Sequence, residues 1–87
     1  MSRQIRRWQP QYPELANQLR AARVAAGLSQ HDMAFHLGMP QPAYWLIERG
    51  INRLPAGQLA VVATLLDLDA DELALLAGYE WPGETEV

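Results

Sequence analysis

The side chains able to do chemistry in this sequence are seven arginines, two histidines, ten carboxylates and a scatter of amides and hydroxyls, with no cysteine. They form no catalytic grouping. His31 and His36 stand five apart, off the i,i+4 spacing that sets two imidazoles on one helix face, and no ligand cluster accompanies them. Both read as surface histidines. No serine, histidine and acid combination points to nucleophilic catalysis. No glycine-rich stretch offers a phosphate loop. Asp67, Asp69, Asp71 and Glu72 crowd a place where a helix start needs acceptors. The sequence is therefore expected to be no enzyme, to hold no metal and to need no cofactor.

The arginines are the more informative set. Arg3, Arg6, Arg7, Arg20, Arg23, Arg49 and Arg53 all precede residue 54, with only Glu14, Asp32 and Glu48 among them, so that half carries +4. Residues 54–87 hold seven acids and no base, a charge of −7, and together the halves give the net −3. A phosphate backbone responds to the local field of the face it meets, so the segregation bears on a nucleic-acid partner more than the total does. Composition sets the remaining bounds. With 87 residues, 49% hydrophobic and 20% charged, the chain is expected to fold as a soluble globular domain with one modest core. No unbroken apolar run, Leu59 to Ala63 among them, is long enough to span a bilayer, and no apolar segment follows Met1 to Gln4 as a secretion signal would require. A cytoplasmic protein without disulfides is the expectation.

Five helices are expected to position these groups. Residues 1–12, polar and interrupted by Pro10, read as a basic arm. Pro13 opens the first helix, Glu14 complements its dipole, Leu15, Leu19, Ala22 and Ala26 recur at helical spacing, and Gly27 stops it. Ser29 caps a second helix with Asp32 as its box partner, and Gly38 ends that helix. A third lies within residues 41–49, with Gln41 as cap and Pro42 as first residue, and Gly50 ends it. Pro55 opens a fourth, carrying Leu59, Val62, Ala63 and Leu66. Asp69 caps a fifth, with Glu72 three residues on, and Gly78 stops it. Residues 13–78 form one domain and residues 79–87 an acidic tail. No alternating pattern suggests a strand.

One window carries more than its helices. Counted from Gln30, apolar residues fall at positions four (Met33), eight (Leu37), ten (Met39), fifteen (Tyr44) and eighteen (Ile47). Ala34 sits at five and Gly38 at nine. Two helices that cross steeply after a short turn touch closely, so the contact residue must be small and the turn needs a residue tolerant of positive φ. The apolar five seal the pair onto the core.

These residues, with Gly27-Leu28-Ser29-Gln30, Leu37-Gly38-Met39 and Ile47-Glu48-Arg49-Gly50, resemble the lambda-repressor-like, Cro/Xre type of helix-turn-helix over roughly residues 14–77. The resemblance implies an all-α, five-helix domain whose second and third helices form the helix-turn-helix. It implies a sequence-specific transcriptional regulator, usually a repressor, that binds double-stranded DNA as a homodimer with helix three in the major groove. By position Gln41, Trp45 and Leu46 would face base edges. Gln30, Arg49, Asn52 and Arg53 would meet phosphates, as would Arg3, Arg6 and Arg7 of the arm. Arg23 would pair with Glu48 as a structural salt bridge. The chemistry suits these roles: a glutamine amide pairs bidentately with adenine N6 and N7, and guanidinium groups suit phosphates. Gln41 also reads as a plain cap, and Arg53 as a solvated loop charge.

The sequence departs from the family in two ways. Pro40 stands where a hydroxyl residue usually caps the third helix. Pro42, Trp45 and Leu46 make the outward face of that helix apolar, where DNA readers usually carry polar groups. Leu46 suits a thymine methyl and Trp45 a sugar or phosphate, yet the same patch suits a protein partner. A protein-interaction module of the same fold, an antitoxin or regulator adaptor, is thus the alternative. Tyr79 and Trp81 are the candidates for a dimer surface.

Overall fold

The computed structural model describes residues 9–80. Five α-helices succeed one another as α1 (Pro13–Ala25), α2 (Gln30–Leu37), α3 (Gln41–Glu48), α4 (Leu59–Leu66) and α5 (Ala70–Leu76), and no strand forms among the described residues. Arg3, Arg6, Arg7 and Trp81 lie outside the described residues.

Local chemistry explains most helix ends. Ser29 Oγ accepts from Asp32 N at 3.0 Å while Asp32 Oδ2 accepts from Ser29 N at 2.9 Å, the reciprocal box that starts α2. At the start of α5, Asp69 Oδ1 accepts from the backbone N–H groups of Asp71 and Glu72, so the aspartate alone satisfies two orphan donors. Helix α3 begins one residue earlier than the sequence suggests. Pro40 is its cap, in extended conformation, and Gln41 and Pro42 are its first two residues. The Pro40 carbonyl accepts from both Ala43 N and Tyr44 N, and a proline costs nothing at a position whose N–H would have no partner anyway.

The fourth helix, in contrast, starts later. Pro55 caps a short 3-10 turn, Ala56–Gln58, before α4 begins at Leu59. Gln58 uses its side chain across the fold: its Nε2 donates to the Leu37 carbonyl at 2.8 Å, supplying a partner to the last turn of α2. Helix α4 ends on Asp67 at φ +58°, a left-handed conformation that aspartate tolerates better than most residues.

The core gathers Leu15 and Leu19 of α1, Met33, Ala34 and Leu37 of α2, and Tyr44 and Ile47 of α3. Val62, Ala63 and Leu66 of α4, Leu73 of α5 and Ala77 complete it from the other side, together with Leu54, a fully buried residue of the loop after α3. Ala34 is buried in this core, where the helix pair needs a small residue to pack closely. No helix among the described residues is long and apolar enough to cross a membrane.

Candidate nucleic-acid interface

Helices α2 and α3 are joined by Gly38, Met39 and Pro40, with Gly38 left-handed at φ +66° and Met39 N donating back to the Ala34 carbonyl at 3.0 Å. This compact turn sets the start of α3 beside the start of α2. Gln41 is exposed there, and its Nε2 lies 3.5 Å from Gln30 Oε1. Gln30 in turn donates from Nε2 to Glu48 Oε1 at 2.9 Å. A chain of amides thus runs from the surface to a buried carboxylate.

That carboxylate is the hub of the site. Glu48 is only 2% exposed and accepts four side-chain hydrogen bonds. Arg23 donates to it twice, Nε to Oε2 at 2.6 Å and Nη2 to Oε1 at 2.9 Å, in the fork geometry that suits a guanidinium to a carboxylate. Tyr44 Oη donates at 2.7 Å to Oε2, and Gln30 fills the remaining place. Arg23 Nη1 also donates to the Leu28 carbonyl at 2.9 Å, closing the turn between α1 and α2. No buried side-chain polar atom among the described residues lacks a partner. Burial pushes the Glu48 carboxyl up, but the bonds from Arg23, Tyr44 and Gln30 outweigh it and hold the group below its ordinary range. The same contact with Glu48 holds the Arg23 guanidinium above its ordinary value, while burial above all raises the Tyr44 phenol.

A pH dependence follows. A carboxyl whose folded pKa is depressed binds protons more readily in the unfolded chain, so its stabilisation is complete above the ordinary value of 4.5 and is lost as pH falls through the lower folded value. Asp32, lowered chiefly by the Ser29 backbone N–H, acts in the same direction. The urea midpoint is expected to hold steady from neutral pH to the ordinary carboxylate value and to fall below it. In Glu48→Gln the acid-side fall should be shallower.

The other candidate residues are placed as follows. Gln30 turns its amide nitrogen inward, which leaves the backbone N–H groups of Gln30 and His31, without acceptors among the described residues, as the donors of the α2 start. Arg49 lies over the Trp45 ring at 5.0 Å, and both are exposed, as are Pro42 and Asn52, while Leu46 is half-buried. Arg53 does not stand free in its loop. Its guanidinium carbon sits 4.6 Å from the Tyr79 ring centroid and 5.8 Å from that of Tyr12. Tyr79 Oη also donates to the Leu54 carbonyl at 2.9 Å, so Tyr79, a dimer-surface candidate from sequence, is engaged within its own chain. Sequence reasoning passed over Arg20, which shares a cleft with Asn17 and Arg49 and donates to Asn17 Oδ1 at 2.7 Å. Its place in the basic half was the signal that could have found it. Among the described residues no three metal-binding side chains come together.

Among the described residues, five α-helices, a three-residue turn and a carboxylate-centred brace define a helix-turn-helix fold. Comparison with known families agrees: a family model described as a helix-turn-helix domain matches residues 14–76. The chain belongs to this helix-turn-helix family, in keeping with its Cro/Xre-type resemblance, and the class is one of DNA-binding regulators. No curated protein and no solved structure gives a significant match.

Proposed function

We propose that the chain is a sequence-specific transcriptional regulator of repressor type, a homodimer that lays α3 in the major groove of double-stranded DNA. The reading rests on Gln41. It is exposed in the first turn of α3, and Gln30, anchored by Glu48, accepts from its Nε2. One amide proton and the Oε1 acceptor of Gln41 remain, the pair that matches adenine N7 and N6. In this reading Trp45 and Leu46 pack against sugar and thymine methyls. The α2 start at Gln30 meets phosphate, with Arg49, Asn52, Arg53 and the basic arm of residues 1–12 along the same backbone. Arg53, exposed beside the Tyr79 and Tyr12 rings, meets a phosphate oxygen in this reading.

Selection of bound sequences from a random duplex library tests the class, and a palindromic consensus is the expected outcome. Gln41→Ala is expected to weaken the preferred site by about 1–3 kcal/mol and to spare non-specific binding. Arg53→Ala, or removal of Arg3, Arg6 and Arg7, should weaken all sequences alike. It should also flatten the dependence of log affinity on log salt by about 0.9 for each phosphate no longer neutralised. Anisotropy titrations at several salt concentrations measure all three variants.

The exposure of Pro42 and Trp45 supports a second reading, a protein-interaction module (antitoxin or regulator adaptor) that uses Pro42, Trp45 and Leu46. Absence of DNA binding at low salt, with a protein partner released by Trp45→Ala, would establish it in place of the first.

A further inference from the structure

The cleft that holds Arg20 has two cationic side chains and no anionic one. It opens between α1 and the end of α3, and Pro10, Pro13, Ala16, Asn17, Arg20 and Arg49 line it. Asn17 and Arg20 stand three apart on α1 and so share one helix face; both are exposed, as is Arg49. Arg20 is held from one side. Its Nη2 donates to Asn17 Oδ1 at 2.7 Å, and its Nη1 lies 3.4 Å from the Glu48 carbonyl. A guanidinium has donors only, so this contact fixes the Asn17 amide with its oxygen spent on Arg20 and its Nδ2 donors left over. Arg49 packs over the Trp45 ring at 5.0 Å rather than against a carboxylate. The Glu48 carboxylate, its neighbour in sequence, is buried and shared among four other donors. The polar groups facing the cleft are therefore donors, two of them fully charged.

We propose that Arg20, Asn17 and Arg49 form a phosphate site that takes one backbone phosphate of the duplex read by α3, so that α1 joins the interface. The proposal rests on the DNA reading for the source of the phosphate. The donors define the ligand: it must be negative and offer acceptors alone, as a phosphate does to guanidinium and amide groups. Capping the end of α3 does not account for the arrangement. Arg20 gives that helix end one donor at 3.4 Å, and a cap has no use for the second guanidinium of Arg49. Position identifies the source. Arg49 rests on Trp45 of the outward face of α3, so the cleft borders that face at the end away from Gln41. Seven residues of helix separate Gln41 from Glu48, a span of about 10 Å. The major groove is about 12 Å wide between its two backbones, so a helix whose start lies over bases brings its far end to phosphate. The walls are in place beforehand, because Gln11 N and Tyr12 N both donate to the Gly50 carbonyl and tie the segment bearing Pro10 and Pro13 to the end of α3.

Anisotropy titrations of the full chain with a random-sequence duplex test the site. Arg20→Ala is expected to weaken binding by about ten-fold at low salt and to flatten the salt slope by about 0.9. Arg20→Lys should restore the slope but only part of the affinity, since an ammonium keeps the charge and loses the fork. In a scan of duplexes that each carry one neutral methylphosphonate, one position should cost the wild type and cost Arg20→Ala nothing further. Thermal melting checks that each variant is folded. Where a duplex binds, these measurements decide: an unchanged slope in Arg20→Ala, or no shared position in the scan, overturns this site and leaves the DNA reading standing. Where no duplex binds, inorganic phosphate decides, followed through the Nε–Hε NMR signals of the arginines. Saturable shifts at Arg20 and Arg49 together support the site and overturn the DNA reading, and their absence overturns both. A third outcome concerns the chain's own acids. If Glu80→Gln, Glu84→Gln and Glu86→Gln together shift the Arg20 and Arg49 signals with no ligand added, the acidic segment fills the cleft, and the phosphate site is overturned.

Discussion

Glu48→Ala is expected to cost about 3–5 kcal/mol of stability, the range for removing one partner of a buried ion pair. The loss is large because Glu48 serves four donors at once. Without it the Tyr44 hydroxyl, itself in the core, has no acceptor, and Arg23 retains a charge with only the Leu28 carbonyl to meet it. For a domain of this size such a loss is a large share of the whole stability and should lower Tm by roughly 12 °C or more. Arg23→Ala should approach the same cost. The double variant should lose well under the sum of the two, since each single change already abolishes the pair. Thermal and urea unfolding of the three variants measure this. If Glu48→Ala unfolds within about 1 kcal/mol of the wild type, the brace is incidental to the fold. Gln30 would also lose its anchor, so the variant should blur discrimination at the base faced by Gln41 under conditions where it remains folded.

Gly50→Ala is the second large effect, expected at about 3 kcal/mol once backbone strain and crowding act together. Gly50 lies at φ +79°, where a residue with a side chain is strained by about 1–2 kcal/mol. A Cβ there would stand 3.0 Å from the Tyr12 carbonyl oxygen and 3.3 Å from the Ala16 Cβ, and the first of these is backbone that cannot swing aside. Relief would require the start of α1 to move, stretching the bonds by which Gln11 N (2.7 Å) and Tyr12 N (2.9 Å) both donate to the Gly50 carbonyl. Hydrogen exchange at those two amides reports the movement directly. They should lose protection in Gly50→Ala while the amides of α2 retain theirs relative to global stability.

The sequence made the helix-turn-helix legible because its signals are local. Ser29 with Asp32, Gly38, and the spacing of Met33, Leu37, Tyr44 and Ile47 each act within a few turns of chain. What escaped were contacts between distant residues and choices between equivalent local solutions. Nothing around Leu54 marks a loop residue as core, and nothing around Gln58 tells that its amide reaches Leu37. The start of α3 differs by one residue because Pro40 and Pro42 both suit a helix entry, and only the carbonyl of Pro40 decides between them. Pro55 marks a helical start but not its kind, since a 3-10 turn and an α-helix share their first residues. Arg53 reads as a loop charge because the tyrosines that flank it come from opposite ends of the sequence.

That flanking has a topological consequence. Tyr12 leads into the first helix and Tyr79 follows the last, yet both rings rest on one guanidinium, at 5.8 and 4.6 Å. The polypeptide enters and leaves the folded body at the same point, so the body is nearly a closed ring latched by a stacked arginine. Such a body tolerates new ends where a turn is exposed. Joining residue 80 to residue 9 through a short glycine-serine bridge, and opening the exposed turn at Gly57, should give a permuted chain with the same five helices, since little entropy is needed to close ends already held together. By the same reasoning the body can be spliced into a surface loop of a host protein without prising that loop apart. Arg53→Ala, which unlatches the ring, should make both rearrangements less well tolerated.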